Sequence, residues 1–420
     1  MPLPPSVRPG APVALTGAGV VSPIGNTLAA FDAALFAGRS SVRAQALDLP
    51  GIELPPVPVA SADFDASAVP APSRLPLDRA TAMALVAARD AAQAAGLEPG
   101  GFDPERLGIF WGSGMAGAAT FETTCRTVFA DRRRMRPTSV VTTMPNAPVA
   151  EIALAFAARG AALAYACACA SSAVAIGEAM RAIRAGWIDV AIAGGSESLL
   201  TPGVLASWQA MRVLAPVALG TGGDAAARSA CRPFAADRAG FAIGEAAAAF
   251  VLESAAHARA RSATHRFTLA GYATNCDGVH ITSPDAAGQA RAMRAALADA
   301  GLGAEAIGYL NAHGTATLAG DAAEAESIAA VFGAGGVPVS STKAIHGHLL
   351  GAGGAIELLV AARALETARL PPTAHVERAD PAFAIDLVTG RARDSVRLEA
   401  TMSSSFAFGG TNAVLVAVRA

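Results

Sequence analysis

Short apolar runs alternate with longer alanine-rich segments along most of the chain, and this alternation is the strongest constraint on its fold. The runs lack the polar alternation of half-exposed strands, which is typical of strands buried on both faces. Strands are predicted at residues 13–16, 107–111, 162–166, 190–193, 247–253, 266–272, 308–312, 337–340, 395–403 and 413–418, and helices at 81–95, 150–158, 171–185, 255–261, 286–300, 322–332 and 349–365. The alternation predicts an α/β architecture with buried sheets.

Glycine-rich segments punctuate this pattern. Glycines at 17–19 and 194–195 predict turns that end two of the strands, and residues 217–228 are predicted to form a loop. A soft boundary near residues 262–265 divides the chain into an N-terminal part, 1–263, and a C-terminal part, 264–420. No sequence repeat is visible between the two parts. Residues 1–10 hold four prolines and are interpreted as a loose arm.

Composition excludes several classes of protein. Hydrophobic residues make up 53% of the chain and charged residues 16%, so it is not a disordered polyelectrolyte. The formal net charge of −2 gives no indication of nucleic-acid binding. Apolar runs are far shorter than the roughly 20 residues that cross a bilayer, so no membrane association is expected. The five cysteines form no CxxC pair, which favours reduced thiols and a cytoplasmic location.

Lysine usage is unusual. Of the 32 basic residues, a single one, Lys343, is a lysine. Genomic base composition explains a general replacement of lysine by arginine. A lysine that persists against such a bias indicates a position where the ammonium group is needed, because Arg and Lys differ in shape, hydration and donor geometry.

Cys167 and Cys169 lie where a predicted strand meets a predicted helix, in the segment Ala-Cys-Ala-Cys-Ala-Ser-Ser. Free backbone N–H groups and the helix dipole at such a junction lower the pKa of a thiol and can hold an oxyanion. Either cysteine is a candidate nucleophile on this ground, although small buried cysteines are common in cores.

Two histidine segments follow later strands. The first is Asn311-Ala-His313-Gly-Thr315-Ala-Thr317, and the second is Ser341-Thr-Lys343-Ala-Ile-His346-Gly-His348. A cysteine with distant histidines is a candidate arrangement for nucleophilic catalysis. A third segment, Ser403 to Asn412, places Phe408 before two glycines where it could gate a pocket, but it lacks the spacing of a phosphate loop.

Together these segments resemble the β-ketoacyl carrier-protein synthases of type II fatty-acid and polyketide systems. The resemblance extends from residues 13–25 to the Gly409-Gly-Thr-Asn412 segment and selects Cys169 as the nucleophile. It implies a thiolase-like α/β fold with two pseudo-duplicated halves in a five-layered αβαβα arrangement. It also implies an acyl carrier protein as partner, a homodimer or a heterodimer with a ketosynthase-like subunit, and no bound cofactor or metal, the substrates being carried on phosphopantetheine.

The resemblance implies roles for individual residues. Cys169 would carry the acyl group, neutral His313 and His348 would stabilise an enolate, and Lys343 would maintain their network. The N–H groups of Cys169 and Phe408 would hold an oxyanion. The remaining assignments are a supporting network of Glu357, Asp321 and Glu324, substrate contacts from Thr315, Thr317 and Phe406, and carrier-protein docking by the basic residues Arg133, Arg134 and Arg74.

The sequence departs from the family pattern at several positions, and these leave alternatives open. Ser404 and Ala407 stand where Asn and Gly are usual, and His346 stands where a hydrophobic residue or Thr is common. A secondary-metabolic ketosynthase, such as one that builds polyenes, is compatible with these changes. The principal alternative is a non-condensing partner subunit of the chain-length-factor type, although such subunits lack the nucleophile that is present here.

Overall fold

The computed structural model describes residues 11–98, 100–220, 223–265 and 267–420. The arm predicted at residues 1–10 lies outside the described residues. The strands are β1 Val13–Val21, β2 Arg43–Gln45, β3 Val57–Ala60, β4 Leu107–Gly112, β5 Ala162–Tyr165, β6 Val190–Glu197, β7 Ile243–Gly244, β8 Ala246–Glu253, β9 Phe267–Cys276, β10 Ile307–Asn311, β11 Pro338–Ser340, β12 Asp386–Leu387, β13 Ala400–Phe406 and β14 Thr411–Arg419.

The α-helices alternate with these strands. They are α1 Leu28–Leu35, α2 Arg79–Ala94, α3 Ala118–Phe129, α4 Ser139–Thr143, α5 Ala147–Phe156, α6 Ser171–Arg184, α7 Pro202–Ala210, α8 Gly223–Arg228, α9 Ala255–Ala260, α10 Ala286–Ala300, α11 Leu318–Phe332, α12 Lys343–His346 and α13 Gly353–Thr367. Within the described part of the chain, no helix combines the length and apolarity that crossing a membrane requires.

The large sheet contains the same five-stranded arrangement twice. In the N-terminal half the order is β1-β8-β6-β4-β5, and in the C-terminal half it is β9-β14-β13-β10-β11, with β12 beyond it. In each half the first two pairings are antiparallel and the last two are parallel. A short antiparallel pairing of β1 with β9 joins the halves into one 11-stranded sheet. The duplication that sequence comparison of the halves misses is therefore present in the topology.

Helices form three layers around the two halves of the sheet. Helices α2 and α5 pack on the outside of the N-terminal half, and α10 and α11 pack on the outside of the C-terminal half. Helices α6 and α13 lie between the halves and contact each other. Both central helices are buried on most of their surface, as their apolar sequences require. This arrangement confirms the predicted five-layered thiolase-like fold.

The predicted turn at residues 17–19 is wrong, because β1 continues through both glycines to Val21. A Cβ built on Gly17 would lie 2.1 Å from the carbonyl oxygen of Ala91, and one on Gly19 would lie 2.1 Å from that of Ala87. The glycines are needed because helix α2 crosses β1 at close range, and they do not mark a change of direction.

Other boundaries also differ from the prediction. Strand β6 does not end at Gly194 and Gly195 but runs on to Glu197. The predicted loop at 217–228 contains the short helix α8. Helix α13 begins only at Gly353, after a separate 3₁₀ turn, Leu350–Ala352. These differences arise where small residues serve tertiary contacts that local patterns do not reveal.

Candidate active site

The start of helix α6 positions Cys169. The residue lies in a 3₁₀ turn, Ala168–Ala170, between β5 and α6, and its side chain is buried. Ala168 adopts the left-handed conformation with φ of 48°. The Ser171 hydroxyl accepts a hydrogen bond from the N–H of Cys167 at 2.8 Å and donates to the carbonyl of Ala168 at 2.7 Å. This hydroxyl stabilises the turn that presents the Cys169 thiol.

His348 lies beside the thiol from the opposite half of the molecule. Its Nε2 is 3.1 Å from the Sγ of Cys169. The N–H of Leu350 donates to its Nδ1 at 3.3 Å. Because Nδ1 accepts a hydrogen bond, the proton of the neutral ring resides on Nε2 and points toward the thiol.

His313 forms the second imidazole of the cluster. Its ring centre lies 5.4 Å from that of His348, and the two rings are nearly perpendicular at 84°. The Lys343 ammonium lies 3.5 Å from the Nδ1 of His313 and also donates to the backbone carbonyl of that residue. The ammonium has no lone pair, so His313 Nδ1 accepts and its proton also resides on Nε2.

Electrostatics keep both imidazoles neutral. Burial, followed by the positive charge of Lys343, lowers the pKa of His313 and of His348 well below the ordinary value. Lys343 is itself fully buried and forms an ion pair with Glu357 on helix α13. Burial raises the pKa of Glu357 to about 7, and Lys343 opposes that shift. The single lysine of the chain therefore lies at the centre of the cluster.

The resting thiol differs from the expectation based on its helix-start position. Burial raises the pKa of Cys169 to about 12, and the carboxylates of Glu357 and Glu197 act in the same direction. The charge of Lys343 and the N–H of Phe408 lower it, but by less. The predicted lowering of the thiol pKa is thus wrong in its sign, because desolvation of the enclosed thiol raises the pKa more than Lys343 and the Phe408 N–H lower it.

Asp321 and Glu324 on helix α11 support the backbone around His313. Glu324 accepts hydrogen bonds from the N–H groups of His313 at 2.7 Å and Gly314 at 2.6 Å. Asp321 accepts from Phe234 at 2.7 Å and Ala316 at 3.0 Å. Burial raises the pKa of Glu324 to about 8 and that of Asp321 to about 7. Both carboxylates are therefore buried acceptors that position the loop.

Cys169, His313 and His348 each place a potential ligand atom within 4.8 Å of the others, and such a set could hold a metal ion. The hydrogen bonds oppose that function. Both Nδ1 atoms face N–H donors, so both Nε2 atoms carry protons and lack the free lone pair that a metal requires. The adjacent ammonium of Lys343 also repels a cation. The arrangement is better suited to donating two hydrogen bonds to one oxygen atom.

A cavity of about 270 Å³ leads to this cluster. It is lined by the thiol, both imidazoles, the predicted substrate residues Thr315, Thr317 and Phe406, and the predicted gate residue Phe408. The hydroxyls of Thr315 and Thr317 lie 2.9 Å apart. Phe408 stacks on Trp208, with ring centres 6.2 Å apart and planes at 19°. The structure thus brings the predicted thiol, imidazole and substrate residues to one cavity, and Lys343 lies buried behind His313.

The predicted docking arginines lie elsewhere. Arg74, Arg133 and Arg134 are exposed and are not among the residues that line the cavity. Sequence reasoning did not identify Arg212, which is also exposed and lies between Met211 and Val213, two residues of the cavity lining. Arg212 lies near the cavity because segments distant in sequence meet there, so no local sequence pattern identifies it.

His346 and Glu197 complete the surroundings. His346 is buried, and its two ring nitrogens lie 2.8 Å from the carbonyl of Gly347 and 2.9 Å from the hydroxyl of Thr342. Both nitrogens are thereby satisfied outside the cavity. Glu197, which the sequence reasoning missed, is fully buried at the end of β6 and accepts hydrogen bonds from both halves. Its only sequence signal is a carboxylate at the end of an apolar strand.

Comparisons with known proteins agree with this geometry. Residues 10–258 match the family described as beta-ketoacyl synthase, N-terminal domain, and residues 266–377 match beta-ketoacyl synthase, C-terminal domain. Nodulation protein E of Rhizobium meliloti (strain 1021) is 39% identical over 342 residues, which cover 81% of this chain and 82% of that protein. The 3-oxoacyl-[acyl-carrier-protein] synthase 2 of Staphylococcus aureus is 38% identical over 345 residues, covering 81% and 84%.

Solved structures of ketosynthases are similar to this chain along nearly its whole length. A type II PKS acyl-carrier protein in complex with its ketosynthase includes a chain with a TM-score of 0.88 and 27% identity, covering 98% of this chain and 100% of that one. The ishigamide ketosynthase/chain length factor matches with a TM-score of 0.87 and 30% identity, covering 97% and 99%. From its topology, its Cys-His-His-Lys cluster and these matches, the chain belongs to the β-ketoacyl synthase family.

Proposed function

We propose that the protein catalyses the decarboxylative Claisen condensation of an acyl thioester on Cys169 with a malonyl-acyl carrier protein, in fatty-acid or polyketide/polyene synthesis. One observation carries the proposal: two neutral imidazoles, each with its proton on Nε2, lie beside the nucleophilic thiol at the end of a cavity. A thioester oxygen placed between them would receive two hydrogen bonds.

The first half-reaction transfers the acyl group. The Cys169 sulfur attacks the thioester carbonyl of the acyl carrier protein, the carbon–sulfur bond to pantetheine breaks, and the thiol proton passes to the departing pantetheine sulfur. The backbone N–H groups of Cys169 and Phe408 hold the tetrahedral oxyanion. Support for the second donor comes from the Phe408 N–H, which lies close enough to the sulfur to lower its pKa.

The second half-reaction forms the carbon–carbon bond. Malonyl thioester loses CO₂, and the electron pair of the broken bond forms an enolate whose oxygen accepts hydrogen bonds from His313 and His348. The enolate carbon attacks the Cys169 thioester, and the carbon–sulfur bond breaks to regenerate the thiolate, which takes up a proton. Burial and the charge of Lys343 keep both imidazoles neutral, so that they donate hydrogen bonds without gaining a charge.

Incubation with acyl- and malonyl-loaded carrier proteins tests the proposal directly. The expected result is a mass increase on Cys169 that equals the acyl group, release of CO₂ and a 3-oxoacyl product. The Cys169→Ala variant should not be acylated, and Cys169→Gln should continue to release CO₂ from malonyl carrier protein. Acylation without condensation would instead indicate a partner subunit of the chain-length-factor type, and full condensation by Cys169→Ala would refute the mechanism.

A second chain would complete the sheet edge at β5. This strand pairs with β4 and is the terminal strand of the large sheet, and Leu163 on it is 46% exposed. Unpaired edges with exposed apolar residues are typical of sites where another chain adds. We therefore propose a homodimer, which light scattering of the purified protein would test. A monomeric mass would exclude it, and a stable complex only with a different ketosynthase-like chain would favour a heterodimer.

Docking of an acidic carrier protein is proposed for the exposed arginines. Reversal of Arg133 and Arg134 to Glu should raise KM for the carrier-linked substrate a few-fold and weaken its salt dependence, since rim charges act mainly on association. Arg212→Glu, at the cavity mouth, should have the larger effect. Carrier-free acyl pantetheine is the control, because its KM should not change. An unchanged KM for the carrier-linked substrate in every variant would remove the docking proposal.

A further inference from the structure

Glu197 is a fully buried carboxylate for which the proposed reaction has no role. It is the last residue of β6 in the N-terminal half. One of its oxygens, Oε2, accepts from the N–H of Gly114 at 2.6 Å and from the N–H of Gly351 at 3.1 Å. The other, Oε1, accepts from the Ser113 hydroxyl at 3.1 Å and the Met115 N–H at 3.2 Å. One carboxylate thus connects both halves.

The bond to Gly351 reaches the turn that follows His348. That turn, Leu350–Ala352, supplies the Leu350 N–H that donates to His348 Nδ1. Leu350 adopts a left-handed conformation with φ of 49°, which is strained for a residue with a side chain. Such a conformation persists only where neighbouring contacts impose it. The hydrogen bond from the next residue, Gly351, to Glu197 is such a contact.

The other bonds of Glu197 reach residues 113–115, which lie against the turn that carries Cys169. Gly114 lies against that turn, since a Cβ built on Gly114 would be 3.5 Å from the carbonyl oxygen of Ala168. Gly351 also packs closely against Gly114, since a Cβ built on Gly351 would lie 2.2 Å from the Gly114 nitrogen. The carboxylate is therefore enclosed between the two turns that present the thiol and the imidazole.

We infer that Glu197 is a positioning residue that holds the Leu350–Ala352 turn against the N-terminal half, so that the Leu350 N–H faces His348 Nδ1 and the His348 Nε2 proton faces Cys169. Four donors surround the carboxylate. Only its ionised form can accept a hydrogen bond from each of them, because a protonated oxygen would itself be a donor. Burial raises the pKa of Glu197 to about 7, and its four hydrogen bonds oppose that shift. The kinetic part of this inference rests on the proposed function.

The nitrogen NMR spectrum of histidine-labelled protein tests the inference without reference to activity. In the wild type the Nε2 of His348, assigned by comparison with His348→Asn, should show the shift of a protonated ring nitrogen. Glu197→Ala removes the acceptor of Gly351, and His348 should then populate both neutral tautomers. Glu197→Gln, with its amide oxygen in place of Oε2, should restore the wild-type signal, and Ser113→Ala, which alters only the Oε1 side, should leave it unchanged.

Kinetics give the second measurement. Glu197→Ala should lower kcat for malonyl decarboxylation roughly 100-fold, the scale expected for misplacement by about 1 Å, with little change in KM. Glu197→Gln should recover most of this loss. If Glu197→Ala does not fold, Glu197→Asp withdraws the carboxylate from Gly351 while keeping the charge and should show the same mixed tautomers.

A folded Glu197→Ala or Glu197→Asp protein with the wild-type His348 signal and unchanged kcat would overturn the inference. If the wild-type protein releases no CO₂ from malonyl carrier protein, the proposed function fails, and the nitrogen signal still decides the role of Glu197.

Discussion

The two halves of the molecule share one topology and differ in the chemistry that they present. Each half has the same five-strand order and contributes one central helix, α6 or α13. Each central helix is preceded by a 3₁₀ turn whose first residue, Ala168 or Leu350, is left-handed with φ of 48° or 49°. The N-terminal turn carries the thiol, and the segment before the C-terminal turn carries His348. Duplicated geometry thus brings the two turns together.

Charge is distributed unequally between these equivalent positions. The C-terminal half supplies His313, His348, Lys343 and Glu357, whereas the N-terminal half supplies the Cys169 thiol and the carboxylate of Glu197. The difference teaches that the pseudo-symmetric scaffold brings the two turns together, and that the residues carried by each half place the thiol in one and the imidazoles in the other.

The largest expected effect comes from breaking the charge pair of the C-terminal half. Lys343→Met leaves Glu357 buried without its partner, and removal of one member of a buried ion pair destabilises a protein by roughly 3–5 kcal/mol. Urea unfolding measures this loss. The double variant Lys343→Met/Glu357→Gln should recover much of it, because no unpaired charge remains. Equal stability of Lys343→Met and wild type would mean that the pair is not coupled to folding.

Removal of one imidazole should separate the functions of the two halves. His313→Ala should reduce malonyl decarboxylation by about 10²- to 10³-fold, the cost of losing one preorganised donor. Acylation of Cys169, measured by intact mass, should persist because the N-terminal half supplies the nucleophile. Loss of both activities in a folded variant would contradict this division.

Equivalent glycines give a direct test of the duplication. Gly17 in β1 packs against Ala91 of α2 and against Ala95 just after that helix, and Gly271 in β9 packs against Ala296 and Ala300 of α10. An added Cβ would lie 2.1 Å and 2.3 Å, respectively, from the carbonyl oxygen of the helix. Substitution of either glycine by Ala should cost roughly 1–3 kcal/mol of unfolding free energy, as overpacking does. Unequal losses would show that the halves tolerate crowding differently.

A smaller effect concerns the pH dependence of stability. His313 is ordinarily protonated near pH 6.5, but in the folded protein its pKa is well below that value. As the pH falls below 6.5, the unfolded chain therefore takes up a proton that the folded chain does not, and the unfolding free energy decreases. Between pH 7.5 and 5.5 this contributes on the order of 1 kcal/mol. His313→Asn should lose that contribution, which denaturant titrations of both proteins at the two pH values would reveal.

Local sequence patterns identified most of the long helices and strands and the segments of the candidate active site. Helix α10 has the predicted bounds, and the strands before Cys169 and His313 lie within one or two residues of their predicted positions. Apolar periodicity and strand-end polar residues are local properties, so they are readable without a structure. Helices α3, α4 and α7 were not predicted, because each buries at most one residue and an apolar face therefore does not mark them in the sequence.

The sequence by itself determined the α/β class, the identity of the nucleophile segment and the importance of its one lysine. Only the tertiary structure decided the tautomers of His313 and His348, the direction of the Cys169 pKa shift and the connecting position of Glu197. The physical reason is that these properties depend on burial and on donors from the other half of the molecule. The residues adjacent in sequence specify neither how deeply a group is buried nor which donors face it.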